Sequence, residues 1–299
     1  SETVSCALEA LNYVCQDGET AKKLNDDGLV DLLVASMSTF RDDVDVIERA
    51  FDLFYTLCFA AECAESMANG GALKEAMELM EALASDSPEG ILVMGAAALH
   101  VLLKGKPKAD LEKYATAVHR ADGTAVLGRL CEKNLDRHEF ISESLETIGR
   151  IAAIEKLAHG AAMAFMPSLR KIVLHYLADD GDDAHLMLDQ CFKIMGFFAF
   201  DSRNIETIVL NSGLPLVLRA VSKYPHEEIL MERAIKTIDF IAMGDTEYTK
   251  VVIAKGGKAV IEKIVEVYPD SATIQSLGAR ALVVLQDLER EAETLDDIE

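Results

Sequence analysis

The chain has no tryptophan, only six prolines among 299 residues, and just 6% aromatic residues. No stretch alternates apolar and polar residues as a half-buried strand would, which argues against a sandwich or barrel. Ala, Leu, Met, Glu and Lys are abundant instead, a helix-forming composition. No apolar run is long enough to span a bilayer, and no signal-peptide pattern is present. The six cysteines (Cys6, Cys15, Cys58, Cys63, Cys131, Cys191) form no CxxC pair and no Cys–His cluster at zinc spacing. Most lie in apolar helical runs and read as buried free thiols of a reducing, cytoplasmic setting. GxxxxGK[ST], GxGxxG, GxSxG and HExxH are all missing, so no enzyme, cofactor or metal site is expected. His100 falls on an apolar helix and reads as a satisfied core residue. The acidic tract Asp179–Asp183 lacks the spacing and closing Glu of an EF-hand loop.

Positive charge is also scarce. There are 29 Lys and Arg against 51 Asp and Glu, a formal net charge of −22. Residues 1–100 carry 5 basic and 19 acidic side chains, residues 101–170 carry 11 and 9, and residues 171–299 carry 13 and 23. This balance repels nucleic-acid phosphates and anionic membrane surfaces, so neither is an expected partner.

What the chain does contain is a unit that returns about every 45 residues. Its fixed point is a small or helix-starting residue before an apolar helix. The copies are DDGLVDLL at Gly28, NGGALKEAM at Gly71, ADGTAVLGRL at Gly123, AFMPSLRKIV at Pro167, NSGLPLVLRAV at Gly213 and KGGKAVIEKIV at Gly257. Such a period predicts a stacked helical solenoid, each repeat burying its apolar face on its neighbours. Each period holds a short, a medium and a long helix. In the second, a helix near Ala61–Ala68 stops at Asn69-Gly70-Gly71, a second runs Leu73–Leu83, and Asp86, Ser87 and Pro88 break it before a third over Glu89–Leu103. Seven long helices align at about 3–15, 44–58, 89–103, 139–153, 184–199, 227–242 and 271–286. The first has no pair of helices before it. Lys104-Gly105-Lys106-Pro107-Lys108, in the longest repeat, predicts a protruding basic loop, with Lys104, Lys106 and Lys108 as a second contact site. The span 287–299 carries seven acids and one base and is expected to be a frayed or disordered tail beyond a single solenoid of residues 1–286. The chain begins at Ser1 directly in an apolar-periodic helix, so a segment of a longer protein is expected.

The short–medium–long triplet resembles the armadillo repeat, with Gly213-Leu214-Pro215 and Leu216–Val221, and Ala7-Leu8-Glu9-Ala10-Leu11, as the closest local matches. The resemblance covers essentially the whole chain and implies an all-α, right-handed α-solenoid of six to seven three-helix repeats. It also implies that the third helices line a concave groove whose ladder of residues touches a protein partner. Members that clamp extended basic peptides place Asn on this ladder and Trp four residues earlier. Here the corresponding residues are Tyr13, Thr56, Val101, Arg150, Phe197, Phe240 and Val284, none of them Asn. A basic-signal receptor is therefore not expected. An apolar or aromatic ladder suits an amphipathic helix or a hydrophobic peptide better. Four residues earlier stand Glu9, Asp52, Ala97, Glu146, Lys193, Lys236 and Arg280. Acids lead and bases follow, which predicts a groove with an acidic first half and a basic second half, holding its partner in one direction.

The resemblance thus implies a non-enzymatic binding scaffold or adaptor, of the kind found in cytoskeletal or organelle-tethering assemblies. Two alternatives stay open: a regulatory solenoid domain of a larger enzyme, and a myosin-type chaperone domain.

Overall fold

The computed structural model describes residues 2–84, 89–181 and 183–296. Among them there is no strand. The chain divides into two compact units, residues 1–157 and residues 158–299.

The first unit contains α1 (Glu2–Val14), α2 (Gly18–Asp26), α3 (Leu29–Thr39), α4 (Val44–Leu57), α5 (Ala61–Asn69), α6 (Ala72–Ala82), α7 (Glu89–Leu103), α8 (Lys108–Arg120), α9 (Gly123–Lys133) and α10 (His138–Ala152). The long helices α1, α4, α7 and α10 pack in sequence side by side, and α3, α6 and α9 form a parallel row beside them. The first helices of each triplet, α2, α5 and α8, make a third row. Phe51, Phe54 and Phe140 are fully buried between these rows. Helix starts are fixed locally. Asp17 accepts from the Thr20 amide at 3.0 Å, and Asp43 from the Val46 amide at 3.2 Å. Gly28 and Gly71 turn the chain between the first and second helices with φ of 95° and 81°.

The second unit holds most of α11 (Glu155–Ala178), then α12 (Ala184–Ala199), α13 (Ile205–Leu210), α14 (Gly213–Lys223), α15 (Glu228–Ala242), α16 (Thr246–Ala254), α17 (Gly257–Val267) and α18 (Ala272–Asp296). Here α12, α15 and α18 pack side by side. Phe165, Tyr176, Phe192 and Phe198 are fully buried.

Three expectations change. Pro167 does not start a helix but lies inside the 24-residue α11. The other junctions turn through Gly28, Gly71, Asp122, Ser212 or Gly256 at positive φ. At this junction Ala164, Phe165 and Met166 stand instead. A bulky residue in the left-handed region costs about 1–2 kcal/mol, so the helix runs on. The Lys104–Lys108 segment is no protruding loop, because only residues 104–107 separate α7 from α8. The largest share of the added length lies in α8, which has 13 residues where α2 and α5 have 9. Lys106 is tied back, its Nζ donating to the Cys58 carbonyl at 3.3 Å and lying 6.0 Å from the Tyr114 ring. The boundary drawn at residue 286 falls inside α18, which stays helical to Asp296, and residues 297–299 lie outside the described residues. So do Asp86, Ser87 and Pro88, the expected helix break.

The acidic tract before α12 is also explained in part. Lys223 donates to the carbonyls of Leu177 (3.1 Å) and Asp179 (2.5 Å) and pairs with Asp180 at 2.9 Å. An ammonium thus occupies the centre of the described part of this tract. Asp182 lies outside the described residues, and no group of metal ligands is found among those described.

Candidate functional site

The ladder is built by the 3.6-residue period of the long helices. Residues on the seams between neighbours are buried, and the residues one step round each helix are not. Tyr13 on α1 is 76% exposed. Thr56 on α4, Val101 on α7, Arg150 on α10, Phe197 on α12, Phe240 on α15 and Val284 on α18 are all half-buried. None is core, so this face of each long helix still reaches solvent. Lys104 and Lys108 are exposed, and Lys106 is half-buried.

In the first unit the acidic row is internally compensated. Arg49 on α4 lies 3.9 Å from Glu9 on α1 and 3.4 Å from Asp52. Arg150 lies 4.0 Å from Glu146 on α10. The expected run of acids is therefore a set of ion pairs with arginines one turn away. The ladder's neighbours also carry polar links between helices. Thr56 Oγ1 donates to Asn12 Oδ1 at 2.5 Å. His100 on α7 is nearly buried, with Nδ1 2.6 Å from Glu143 Oε2 and Nε2 3.4 Å from Arg150 Nη2. A guanidinium can only donate, so Nε2 accepts and Nδ1 carries the proton given to Glu143. That hydrogen bond holds the Glu143 carboxyl below its ordinary value.

In the second unit the bases stand differently. The Phe240 ring has Lys236 Nζ at 5.8 Å and the Arg280 guanidinium carbon at 6.0 Å from its centroid. Phe200, 70% exposed, meets the same ring edge-on at 5.6 Å. Among the described residues no carboxylate pairs with Lys236. Arg280 puts Nε at 2.9 Å from Oδ2 of Asp239, and Nη2 bonds the same oxygen. Asp239 has no solvent exposure, and its Oδ1 lacks any hydrogen-bond partner. Burial, only partly offset by Arg280, raises its carboxyl above the usual range. The sequence reading missed Asp239. Its one signal was an acid between Ile238 and Phe240 on an otherwise apolar stretch.

Cys6 is exposed, whereas the other five cysteines are buried as the sequence predicts. Burial pushes Cys63 up to about 11 and Cys131 to about 12, and raises Cys15 and Cys58 as well. No single described helix is long and apolar enough to cross a membrane.

No protein-family model and no curated protein matches the chain. Solved structures do. A designed armadillo repeat protein, YIII(Dq)4CqI, superimposes with a TM-score of 0.64 at 17% identity, covering 85% of this chain and 98% of that one. The fold is an armadillo-repeat solenoid. An engineered protein known from its crystal structure is similar with a TM-score of 0.64 at 19% identity, over 86% of this chain and 98% of its own. At these identities the likeness is one of backbone architecture. The ladder residues and Phe240 lie on the long third helices of this fold.

Proposed function

We propose that the protein is a non-enzymatic scaffold or adaptor that binds an acidic amphipathic helix, or a hydrophobic peptide with acidic flanks, on the third-helix face of its second unit. The observation that carries this reading is Phe240, held between Lys236 and Arg280 with the exposed Phe200 at its edge. A partner that covers the two aromatic rings removes apolar area from water, worth about 25 cal/mol for each Å². Its carboxylates meet Lys236, which has no acidic partner of its own among the described residues. Phe197 and Lys193, one helix earlier on α12, extend the same combination of ring and base. In the first unit the arginine pairs leave Glu9, Asp52 and Glu146 less able to select a basic partner. The proposed setting is the cytoplasm, whose reducing conditions keep the six free thiols reduced.

The test uses a labelled helical peptide of leucine and glutamate, with its leucines on one face. The wild-type chain is expected to bind it with an affinity that falls as salt rises. Reversing Lys193 and Lys236 together to Glu, which leaves the Arg280–Asp239 pair intact, should weaken binding by about tenfold or more and remove most of the salt dependence. Unchanged affinity and unchanged salt dependence in the reversed chain would overturn the reading.

A further inference from the structure

α12 and α15 expose the same stripe. It starts at Leu186 on α12 and Ile229 on α15 and reaches Lys193 and Lys236 seven residues on. Phe197 and Phe240 follow at eleven, and Phe200 and Met243 close it at fourteen. Steps of seven, four and three keep these positions on one helical face. α15 is flanked by α12 and α18 and backed by α14, α16 and α17, so the stripe is the face it leaves to solvent among the described residues. Contacts at two heights hold the two stripes in register. Arg233 Nε lies 3.4 Å from Asp189 Oδ1 toward one end, and the Phe200 and Phe240 rings meet at 5.6 Å toward the other.

The chemistry changes along the stripe. Its ends are apolar, with Leu186, Ile229, Phe200 and Met243 each more than half exposed. The lysines stand midway between those ends. One turn before them Asp189 is engaged by Arg233, and Glu232 lies at the same height on α15. A partner's carboxylate is therefore drawn to the lysine height and repelled by Glu232 a turn earlier.

We infer that this face takes a partner's helix of about fifteen residues, lying along the trough between α12 and α15, with apolar side chains at both ends and a carboxylate midway. The inference rests on the function proposed above and deepens it. It sets the partner's axis along the third helices rather than across them, and its acid at the centre rather than at the flanks. Fourteen residues of helix rise about 21 Å, the distance between the two apolar ends. A segment crossing the helices at the height of Phe197 and Phe240 would miss Leu186 and Ile229, three turns or about 16 Å away. A helix puts its own i, i+7 and i+14 side chains on one face, opposite both apolar ends and the lysines at once. An extended segment covers the distance in about six residues and turns its amides toward rings and alkyl chains that cannot accept them. The chain's own acidic stretch 287–296 is not the occupant, because it continues α18. Two copies joined face to face about a two-fold axis would set lysine against lysine.

The probes are two labelled, stapled helical peptides of fifteen residues and identical composition. One carries leucine in its end turns and glutamate in the middle of the same face. The other exchanges these positions. Wild-type protein is expected to bind the central-acid peptide about tenfold more tightly than the acid-flanked one. Leu186→Ser with Ile229→Ser, at exposed positions, should remove about that tenfold advantage and leave the acid-flanked peptide unaffected. Phe240→Ser should weaken both peptides. Equal affinities, a preference for the acid-flanked peptide, or undiminished central-acid binding by the Leu186→Ser/Ile229→Ser chain would overturn this inference and leave the binding face standing. Failure of both peptides to bind, or binding that Phe240→Ser does not weaken, would overturn the proposed function with it. A wild-type dimer in sedimentation that Ile229→Ser dissolves would also overturn the inference, because the occupant would then be a second copy of the chain.

Discussion

Arg280 on α18 sets Nε and Nη2 on a single oxygen of Asp239 on α15, a carboxylate sealed from solvent whose other oxygen has no partner. The pair fixes the guanidinium beside the Phe240 ring, so a buried acid positions an exposed base. Burial outweighs the guanidinium, and the Asp239 carboxyl in the folded chain titrates above 3.8. Between 3.8 and that raised value the folded chain holds a proton that the unfolded chain has lost. Stability from this group is therefore full below 3.8 and is lost as pH rises through the folded value. Asp239→Asn removes the titration. Urea denaturation across this window should show wild type losing stability relative to the variant as pH rises, and a flat difference would contradict the assignment. Arg280→Met, which leaves the carboxylate buried alone, should cost about 3 kcal/mol at neutral pH.

The His100 link gives the opposite slope. Glu143 titrates below 4.5 in the folded chain because His100 donates to it. Its contribution is present above 4.5 and is lost as pH falls through the lowered folded value. His100→Ala should flatten that acid limb and cost about 2 kcal/mol at neutral pH, since Glu143 and Arg150 both lose a nearly buried partner. Denaturant titrations of wild type and variant above and below 4.5 would show it. An acid limb of undiminished slope in the variant would mean that His100 does not hold Glu143.

Much of the architecture was legible because third helices carry a strong one-faced period. The long helices fall within a residue or two of the expected spans, the last excepted, which runs ten residues further. The junction at Pro167 was not legible, because proline marks a helix start as readily as it interrupts a helix. The deciding feature was the lack of Gly, Asn, Asp or Ser just before it. Ladder positions could be read from spacing alone, since Phe197 and Phe240 had only to be one step off the buried seam. The pairing of Arg49 with Glu9, or of Arg280 with Asp239, depends on which neighbouring helix a side chain reaches, and the period of one helix does not contain that information.

Pro167 leaves the Met163 carbonyl without its helical donor in the middle of α11. Both residues are exposed, so water can reach the carbonyl. Pro167→Ala restores the bond and should raise stability by about 1–3 kcal/mol in urea denaturation. A loss of stability would show that α11 needs the interruption.

Gly28 and Ser212 occupy the same turn in different repeats, with φ of 95° and 62°. A Cβ at Gly28 meets nothing within 4 Å, so only backbone strain opposes it. Gly28→Ala should cost about 1–2 kcal/mol, and Ser212→Gly should gain up to about 1 kcal/mol. Thermal or urea unfolding of the two variants should move in opposite directions, and a shared sign would refute the strain argument.

We propose that the protein binds its partner through the third-helix face of its second unit. The most direct measurement is quantitative affinity capture from cell extract by three folded forms, matched by circular dichroism. These are the wild type, Phe197→Ser with Phe240→Ser, and Leu210→Ser, which changes an exposed leucine of α13 away from that face. The proteins captured by wild type are expected to stay on the Leu210→Ser form and to be lost from the double variant. Retention of the same proteins by the double variant would contradict it.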